Sequence, residues 1–430
     1  MTCHSKETMI YVLKKTKNKY QRGAASLIVV SLLLAVMAII VMFANRTVIY
    51  EQKTSANQYR ATLAFEAAEA GIEWTQAMLN NQKYITTACT TSTNSSNPRF
   101  RNRYLNIKLN TEVDIKTGIT LNSVVAACAF NQSSGSMNCS CPVAGTAPSA
   151  TAPTTSSGYT PGFAVAFEKN VVTGTVNLVS YGCTSAINST ICNGDGSAIV
   201  RVSLGQVSGL TTPPASPLTA RGNVSVGNAA LGVINPDPNT NGVTINAGGT
   251  IDADNARITT IPGTPPKSTL VGNDASIRNQ SEANMFSTFF GMSKDAYKGL
   301  PTTYILPCTA CTHTDLLAAY IAGERQIWVS GPMGITSSST IGSADEPLVM
   351  IVDGAISISG SPQFYGVIYS TAATWDSTGG GNALLRGAVI SEGNYTGNGT
   401  PDYYYDPEVM RNIRSSATSF VQIPGSWRDF

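Results

Sequence analysis

The stretch from Ala24 to Ala44 contains no charged residue and reads AASLIVVSLLLAVMAIIVMFA. A helix of about 20 apolar residues, rising 1.5 Å per residue, is long enough to cross the roughly 30 Å hydrocarbon core of a membrane. The segment before it is basic, and a flank rich in Lys and Arg stays on the cytoplasmic side. The sequence therefore predicts a membrane span, with residues 1–22 in the cytoplasm and the chain after residue 45 outside it.

Gly23 lies immediately before the apolar stretch. A conventional secretory signal has its small-residue cleavage site after the apolar run. Cleavage after Gly23 would instead remove residues 1–23 and leave the apolar segment as the new N-terminus. An uncleaved single-pass anchor is the alternative.

A helical pattern continues beyond Ala44, because apolar residues recur at spacings of three and four, which gives one apolar stripe. No proline and only one glycine, Gly71, occur between Ala24 and Asn80. The sequence predicts one continuous helix over residues 24–80, about 85 Å long at 1.5 Å per residue. The stripe consists of Ala56, Tyr59, Leu63, Ala67, Ala70, Trp74 and Ala77.

The string QRGAASLIVVSLLLAVMAIIVMF and the later segment AFEAAEAGIE, Ala64 to Glu73, resemble the N-terminus of PilX-type minor pilins of type IV pili. The resemblance is strongest over residues 20–80 and includes a class III prepilin leader. It implies that a prepilin peptidase cleaves after Gly23 and that Ala24 becomes N-methylated. It also implies residence in the inner membrane, with the C-terminal domain periplasmic, before assembly into an extracellular pilus. The implied partners are minor and major pilins and a PilY-type tip adhesin.

Ile28 departs from the pattern of major pilins, which usually carry a glutamate five residues after the cut. A carboxylate among lipid or packed helices is costly unless it is paired. The isoleucine therefore removes one assembly contact, and we expect a subunit at or near the pilus tip. The resemblance extends to tip-initiating subunits of pili and of type II secretion pseudopili, and a position along the shaft is the alternative.

Glu66, Glu69 and Glu73 fall on one face of the predicted helix with no lysine nearby. Like charges at these spacings repel by a few tenths of a kcal/mol per pair. The stripe is either a solvated surface or a contact with basic groups on a neighbouring subunit.

Charged residues make up only 13% of the chain, about half of the ~25% typical of soluble domains. Nothing in the charge distribution suggests a nucleic-acid groove. Alternating apolar residues predict strands within Tyr104–Ile115, and three more at 163–167, 175–181 and 198–204. A long connection, Cys128 to Tyr159, separates the two groups. The predicted fold is α+β: a long N-terminal helix packed on an antiparallel β-sheet head, residues 81–210.

Residues 211–430 are predicted to form an accessory β-rich domain after a linker, Thr211 to Pro217. Short strand-like runs, such as Leu348–Val352 and Leu384–Ile390, flank helices predicted at Glu282–Met292 and Thr314–Ala322. An approximate period predicts stacked coils of a β-solenoid, and a β-sandwich is the alternative. The residues that give this period are Val329, Met350, Val367 and Ala388.

Nine cysteines fit an oxidising compartment, and eight remain if Cys3 leaves with the leader. Cys183 can pair with Cys192, and Cys308 with Cys311, each closing a small loop. Pairing among the other four, which lie in polar connections, is expected without a readable order: Cys89, Cys128, Cys139 and Cys141.

Catalysis has little support in this sequence. His313 is the one histidine that would remain after leader removal, and with Cys308 and Cys311 it supplies three possible zinc ligands but no evident fourth. Two Asp- and Asn-rich runs, Asn193–Ser197 and Asp252–Asn255, offer the oxygen ligands that calcium needs but lack the distal bidentate Glu of an EF-hand. Ordinary turn chemistry explains both runs, and a calcium site is the alternative. We therefore predict no catalytic residues, metal or cofactor.

The predicted function is that of a non-enzymatic minor pilin that helps to initiate assembly and presents its accessory domain for adhesion or partner contact. One alternative is a membrane-anchored β-solenoid surface protein that acts as an adhesin or on polysaccharide. The other is a minor pseudopilin of type II secretion.

Overall fold

The computed structural model describes residues 22–94, 96–107, 112–119, 123–131, 134–150, 160–184, 192, 196–228, 230–336, 338–377, 382–397 and 399–429. The chain divides into two compact units, residues 1–59 and 60–430. Helix α1, Arg22–Asn80, is continuous through the residues predicted to be helical. The hydroxyl groups of Ser31, Thr47 and Thr54 donate to backbone carbonyls of the preceding turn, which satisfies polar groups on a largely apolar surface.

The β-sheet head begins after α1 and is antiparallel, as predicted. Its elements up to residue 208 are β1 (Tyr84–Ile85), β2 (Thr91–Ser92), α2 (Phe100–Tyr104), β3 (Leu105–Ile107), β4 (Val113–Ile115), β5 (Val124–Asn131), β6 (Ser136–Ser140), β7 (Gly162–Lys169), β8 (Thr175–Cys183) and β9 (Ser197–Ser208). The long connection predicted from Cys128 to Tyr159 is wrong at its start, because the β5–β6 hairpin occupies it. The strongly apolar run VVAACAF in β5 is buried and carries no alternation that would have marked it as a strand.

Small residues let the outer part of α1 lie directly on this sheet. Ala64 and Ala68 are fully buried, and a Cβ atom added at Gly182 of β8 would overlap the carbonyl oxygen of Ala64. A Cβ at Gly71 would likewise overlap the hydroxyl of Ser180. The motif AFEAAEAG therefore places the helix backbone close to the sheet, because its alanines and glycine face inward.

The region from Leu218 to Tyr404 consists of short parallel strands, and we call it the solenoid-like domain. Its strands are β10 (Leu218–Ala220), β11 (Val224–Val226), β12 (Gly232–Ile234), β13 (Ile245–Ala247), β14 (Ile251–Asp252), β15 (Arg257–Thr259), β16 (Leu270–Val271), β17 (Thr303–Leu306), β18 (Cys311–Thr312), β19 (Gln326–Val329), β20 (Met333–Ile335), β21 (Thr340–Ile341), β22 (Leu348–Val352), β23 (Ile356–Ile358), β24 (Gln363–Ser370), β25 (Thr374–Ser377), β26 (Leu384–Ser391), β27 (Asn394–Gly397) and β28 (Asp402–Tyr404). Its helices are α3 (Ala275–Arg278), α4 (Glu282–Phe290), α5 (Lys294–Lys298) and α6 (His313–Ile321), with 3₁₀ turns at Pro238–Thr240 and Pro266–Thr269.

Successive coils stack in parallel register, so that β19, β22, β24 and β26 form one continuous ladder. The predicted period was approximate, because Val329 pairs with Val352 and not with Met350. Val367 does pair with Ala388. Every described strand pair in this domain is parallel, which agrees with stacked coils and not with the antiparallel pairing of a sandwich.

The coils do not stack in chain order. Leu218 of the first coil pairs with Val389 of the last, Val224 pairs with Tyr395, and Gly232 pairs with Asp402. The first coil of the chain therefore lies in the middle of the stack, and the next coils follow outward to β16. The chain then passes through α4 and α5 to β17 at the opposite end, and its last coil lies beside its first.

Two strands are long enough to cover two sides of the stack. β24 and β26 change direction at Gly366 and Gly387, where φ is +146° and +135°. These glycines pair with each other, and a Cβ at Gly387 would overlap the carbonyl oxygen of Gly366. Both positions therefore require glycine, for the backbone conformation and for the close stacking.

Two apolar layers stabilise the domain. The inner layer fills the coils and includes Ile327, Met350 and Tyr403. The outer layer lies between the sheet and the helices, where Trp328 and Tyr369 pack against Phe286 of α4. The outer layer also contains residues of a further helix, α7 (Pro407–Ser416), which begins after its cap, Asp406.

The last strand, β29 (Thr418–Gln422), returns to the head and pairs with β9. The head sheet therefore has the order β29-β9-β8-β7-β5-β6. The accessory domain was predicted to extend over residues 211–430, but the last strand in this range, β29, belongs to the head. The predicted linker is also packed, because Thr211 and Thr212 donate backbone hydrogen bonds to Phe289. The chain thus crosses between head and solenoid-like domain twice, and the backbone N–H of Gly209 in one crossing donates to the carbonyl of Ala417 in the other.

Candidate assembly surface

The first part of α1 has an apolar surface that the other described residues of its unit leave exposed. Leu27, Leu34 and Met42 are 72%, 63% and 75% exposed. The apolar window of this helix has a mean hydropathy of 3.2 and is long enough to cross a membrane. Large apolar side chains exposed on every face of a helix require lipid or other helices around them.

The residues at the predicted cleavage point lie at the beginning of this helix. Gly23 and Ala24 are in its first turn, and the leader up to residue 21 lies outside the described residues. Ile28 is 65% exposed. It therefore adds an apolar side chain to the surface at the position where major pilins usually carry a carboxylate.

The three glutamates occupy the exposed face of α1 beside the head. Glu66, Glu69 and Glu73 are all exposed, and the buried Ala67, Ala68 and Ile72 lie between them in sequence. Among the described residues, none forms an ion pair with these carboxylates. The helix therefore binds the sheet through its small residues and leaves an acidic stripe towards solvent.

A polar junction connects the head with the solenoid-like domain. Glu346 forms ion pairs with Arg99 at 2.8 Å and with Arg325 at 2.6 Å, and the hydroxyl of Tyr84 donates to it at 3.2 Å. Both guanidinium groups are about 95% buried. Burial opposes ionisation of Glu346, but the charges of Arg99 and Arg325 prevail and hold the pKa of its carboxyl below the ordinary value.

Two further arginines of α2 are buried in the head in different ways. Arg103 donates to the carbonyl oxygens of Ile85, Thr86 and Cys141. Arg101 uses one nitrogen, Nη1, to bind Thr418 of β29, and its Nε and Nη2 have no partner among the described residues. Burial, together with the neighbouring charges of Arg99 and Arg325, lowers the pKa of the Arg101 guanidinium to about 9.

Four disulfides join described cysteines: Cys89–Cys141, Cys128–Cys139, Cys183–Cys192 and Cys308–Cys311. Three lie in the head and one at the end of the solenoid-like domain. The two local pairs are those expected from the sequence. The other four cysteines pair among themselves, with a connectivity that only the spatial arrangement reveals.

Among the described residues, the candidate zinc ligands do not come together as a metal site. Cys308 and Cys311 are joined to each other, so they are not free to bind zinc beside His313. The His313 ring contacts Thr314, the next residue in the chain. Within the described parts of the chain, no three His, Cys, Asp or Glu side chains are placed to hold a metal ion. Part of the Asn193–Ser197 run lies outside those parts.

No local sequence pattern indicated the junction residues. Glu346 follows a short turn, and Arg99 and Arg325 lie 226 residues apart in numbering, so their meeting depends on the tertiary fold. A weak signal existed in Asn80, a polar residue at the end of an apolar stripe. Its side chain binds the backbone of Phe420 and so joins α1 to the last strand of the head.

Comparison with known proteins agrees with the properties of α1. The family model for the PilX N-terminal segment matches residues 22–73. No curated protein matches the chain. Among solved structures, the chain is similar to the competence-associated pilin ComZ from Thermus thermophilus, at 11% identity and a TM-score of 0.22, with 86% of this chain and 98% of that chain covered. Because this TM-score is low, the similarity to ComZ supports no functional conclusion, and the family match is the informative comparison. The resemblance to PilX-type minor pilins is confirmed over residues 22–73, which match the PilX N-terminal family.

Proposed function

We propose that the protein is a non-enzymatic minor pilin that helps to initiate type IV pilus assembly at or near the tip. The observation that supports this proposal most directly is the difference between the two parts of α1. Its first part is apolar and exposed, as a segment stored in a membrane and then packed among other helices must be, and its second part holds the head through Ala64, Ala68 and Gly71. The match to the PilX N-terminal segment covers both parts.

Processing is the first step of the proposed route. A prepilin peptidase cleaves after Gly23, and Ala24 becomes the methylated N-terminus of a subunit held in the inner membrane with its head in the periplasm. The subunit then moves into an extracellular filament. Mass spectrometry of the mature N-terminus tests this step: we expect a chain that begins with N-methylated Ala24, whereas a functional protein that retains residues 1–23 would contradict it.

A matched pair of variants sharpens this test. Gly23→Val should block leader removal, because the peptidase in this family cuts after the glycine, and it should reduce the number of surface pili, as deletion of the gene should. Gln21→Ala, two residues away, should be processed normally. Normal piliation with the uncleaved Gly23→Val protein would favour a membrane-anchored surface protein.

The proposed tip position follows from Ile28. A subunit without a carboxylate at this position lacks one assembly contact, which matters least where no further subunit is added above it. Immunogold labelling of isolated pili should place the protein at one filament end, and Ile28→Glu should extend the label along the shaft. Uniform labelling of the wild-type shaft would contradict the tip position.

The proposed partners are other minor and major pilins and a PilY-type adhesin, and the solenoid-like domain is the part offered for adhesion or partner contact. The acidic stripe of Glu66, Glu69 and Glu73 is proposed to face basic groups of a neighbouring subunit. Purification of the detergent-solubilised protein should recover these partners. Replacing the three glutamates by glutamine should reduce recovery of pilins, and unchanged recovery would mean that the stripe is only solvated.

A further inference from the structure

The segment around α2 carries three arginines within five residues, and all three are buried. Arg99, Arg101 and Arg103 are 5%, 1% and 4% exposed. Arginine is almost never fully buried in a protein unless it is paired. Arg99 pairs with Glu346, and Arg103 donates to three carbonyl oxygens. Arg101 is the exception, because only its Nη1 has partners, the carbonyl and hydroxyl oxygens of Thr418, and neither carries a full charge.

The charges around Arg101 do not balance. Arg99 and Arg325 share one carboxylate, that of Glu346. Burial, and then the positive charges of Arg99 and Arg325, lower the pKa of the Arg101 guanidinium to about 9, so the group stays charged at neutral pH. Both charges that act on Arg101 are therefore of its own sign. We call Arg99, Arg101 and Arg325 the arginine cluster.

A second carboxylate lies near the arginine cluster but does not restore the balance. Burial raises the pKa of Glu324, and the charges of Lys83 and then Arg325 oppose this rise. Lys83 is exposed, so the charge that affects Glu324 most lies outside the cluster. Even if Glu324 is counted together with Glu346, three guanidinium groups face two carboxylates, which leaves one positive charge in excess.

The arginine cluster also has more N–H donors than acceptors. The Nε atoms of all three arginines and Nη2 of Arg101 are buried and have no hydrogen-bond partner among the described residues. A buried donor without an acceptor is destabilising. Water molecules can accept these hydrogen bonds but leave the charge uncompensated, whereas an anion accepts them and compensates the charge as well.

We propose that the arginine cluster binds one small inorganic anion such as chloride, which accepts hydrogen bonds from Nε and Nη2 of Arg101. The anion is small because the cluster is enclosed: a carboxylate of a partner protein or a large organic anion does not reach side chains that are at most 5% exposed. Arg101 belongs to the head and Arg325 directly precedes β19. The anion therefore lies at the junction and stabilises the contact of the head with the solenoid-like domain.

Unfolding of the full chain in urea tests the charge compensation. The detergent-solubilised wild-type protein is unfolded at fixed ionic strength while sodium chloride replaces sodium gluconate, whose anion is too large for an enclosed site. An anion that binds only the folded state lowers the unfolding equilibrium constant about tenfold for each tenfold rise in its concentration, once the site is largely occupied. We expect this dependence for chloride. An equilibrium constant that is the same in chloride and in gluconate would overturn the proposal.

A matched pair of arginine variants separates the site from a general effect of salt. Arg101→Met keeps an unbranched side chain but removes the charge, so its unfolding equilibrium constant should change by less than about twofold over the same chloride range. Arg411→Met, on the exposed surface of α7, should retain the wild-type dependence. A wild-type dependence in Arg101→Met, or its loss in Arg411→Met, would overturn the proposal.

Bromide keeps the proposal testable if Arg101→Met does not fold. Bromide has the charge of chloride and scatters X-rays anomalously, so crystals of the wild-type chain grown in sodium bromide should show an anomalous peak beside Nε and Nη2 of Arg101. A water molecule at this place, or no peak, would overturn the proposal. The anion site does not depend on pilus assembly. An anchored surface protein with an uncleaved leader would show the same peak, so the two proposals can fail separately.

Discussion

The side-chain amide of Asn80, the last residue of α1, binds both backbone groups of Phe420 in the last strand of the head. Its Nδ2 donates to the carbonyl oxygen of Phe420 at 2.9 Å, and its Oδ1 accepts from the N–H of Phe420 at 2.7 Å. Both residues are buried. One side chain thus connects the end of α1 to a strand that follows the whole solenoid-like domain in sequence.

Asn80→Ala should destabilise the head by about 1–3 kcal/mol, because it leaves the buried N–H of Phe420 without a partner and its carbonyl with only the 3.5 Å hydrogen bond from Gln76. Urea unfolding of the detergent-solubilised full chain, followed by tryptophan fluorescence, measures the change. Asn138→Ala is the control, since Asn138 is exposed on edge strand β6 and should leave the midpoint unchanged. Equal midpoints for the Asn80→Ala and wild-type chains would mean that this contact does not hold β29 in place.

Gly182→Ala should separate α1 from the sheet, because the added methyl group overlaps the carbonyl of Ala64 and the side chain of Ala68. Overpacking of this kind typically costs about 1–3 kcal/mol and more where backbone must move. Gly205→Ala in the neighbouring strand is the matched control, since its added Cβ would lie 3.4 Å from Ile423, an ordinary contact. Limited proteolysis should cut Gly182→Ala faster and Gly205→Ala at the wild-type rate. Equal rates for all three chains would show that the helix does not need this close approach.

Glu346→Gln should weaken the junction at pH 7 by about 3–5 kcal/mol, because it leaves two buried guanidinium groups without their carboxylate. The pKa of Glu346 is lowered in the folded state, so its contribution is fully present above the unfolded pKa of about 4.5 and is lost as pH falls below it. The difference in urea midpoint between wild type and Glu346→Gln should therefore shrink between pH 5 and pH 3. A difference that does not change with pH would show that the carboxylate charge is not what holds the junction.

The control for the pH series is Glu408→Gln. Glu408 is exposed in the first turn of α7, so this change should alter the unfolding midpoint by less than about 0.5 kcal/mol. A loss as large as that of Glu346→Gln would mean that the effect is not specific to the carboxylate between Arg99 and Arg325.

The disulfides should differ in their effect on stability. Cys89 and Cys141 are 52 residues apart and Cys308 and Cys311 only three. Because a longer closed loop removes more entropy from the unfolded chain, replacing the first pair by alanine should cost about 4 kcal/mol and the second about 2 kcal/mol. Urea unfolding under oxidising conditions compares the two double variants. The reverse order would indicate that contacts around Cys308 outweigh the loop-closure effect.

The sequence by itself determined the features that depend on near neighbours in the chain. Hydrophobic spacing and the lack of proline predicted a helix over residues 24–80, and α1 extends from Arg22 to Asn80. Such a pattern is informative because helical hydrogen bonds join residues four apart. The start of α7 likewise depends on near neighbours, because Asp406 caps the helix and Pro407 occupies its first turn. The strands β7, β8 and β9 and the local pairs Cys183–Cys192 and Cys308–Cys311 also involve nearby residues.

Only the tertiary structure decided which distant segments meet. The pairing of Leu218 with Val389, the return of β29 to β9 and the junction around Glu346 each join residues far apart in sequence. Any of several parallel strands with the same apolar pattern could stack on β10, so hydrophobic periodicity alone does not select its neighbour. The choice depends on the whole stack: burying both apolar layers and bringing β29 back beside α1 requires the last coil to meet the first.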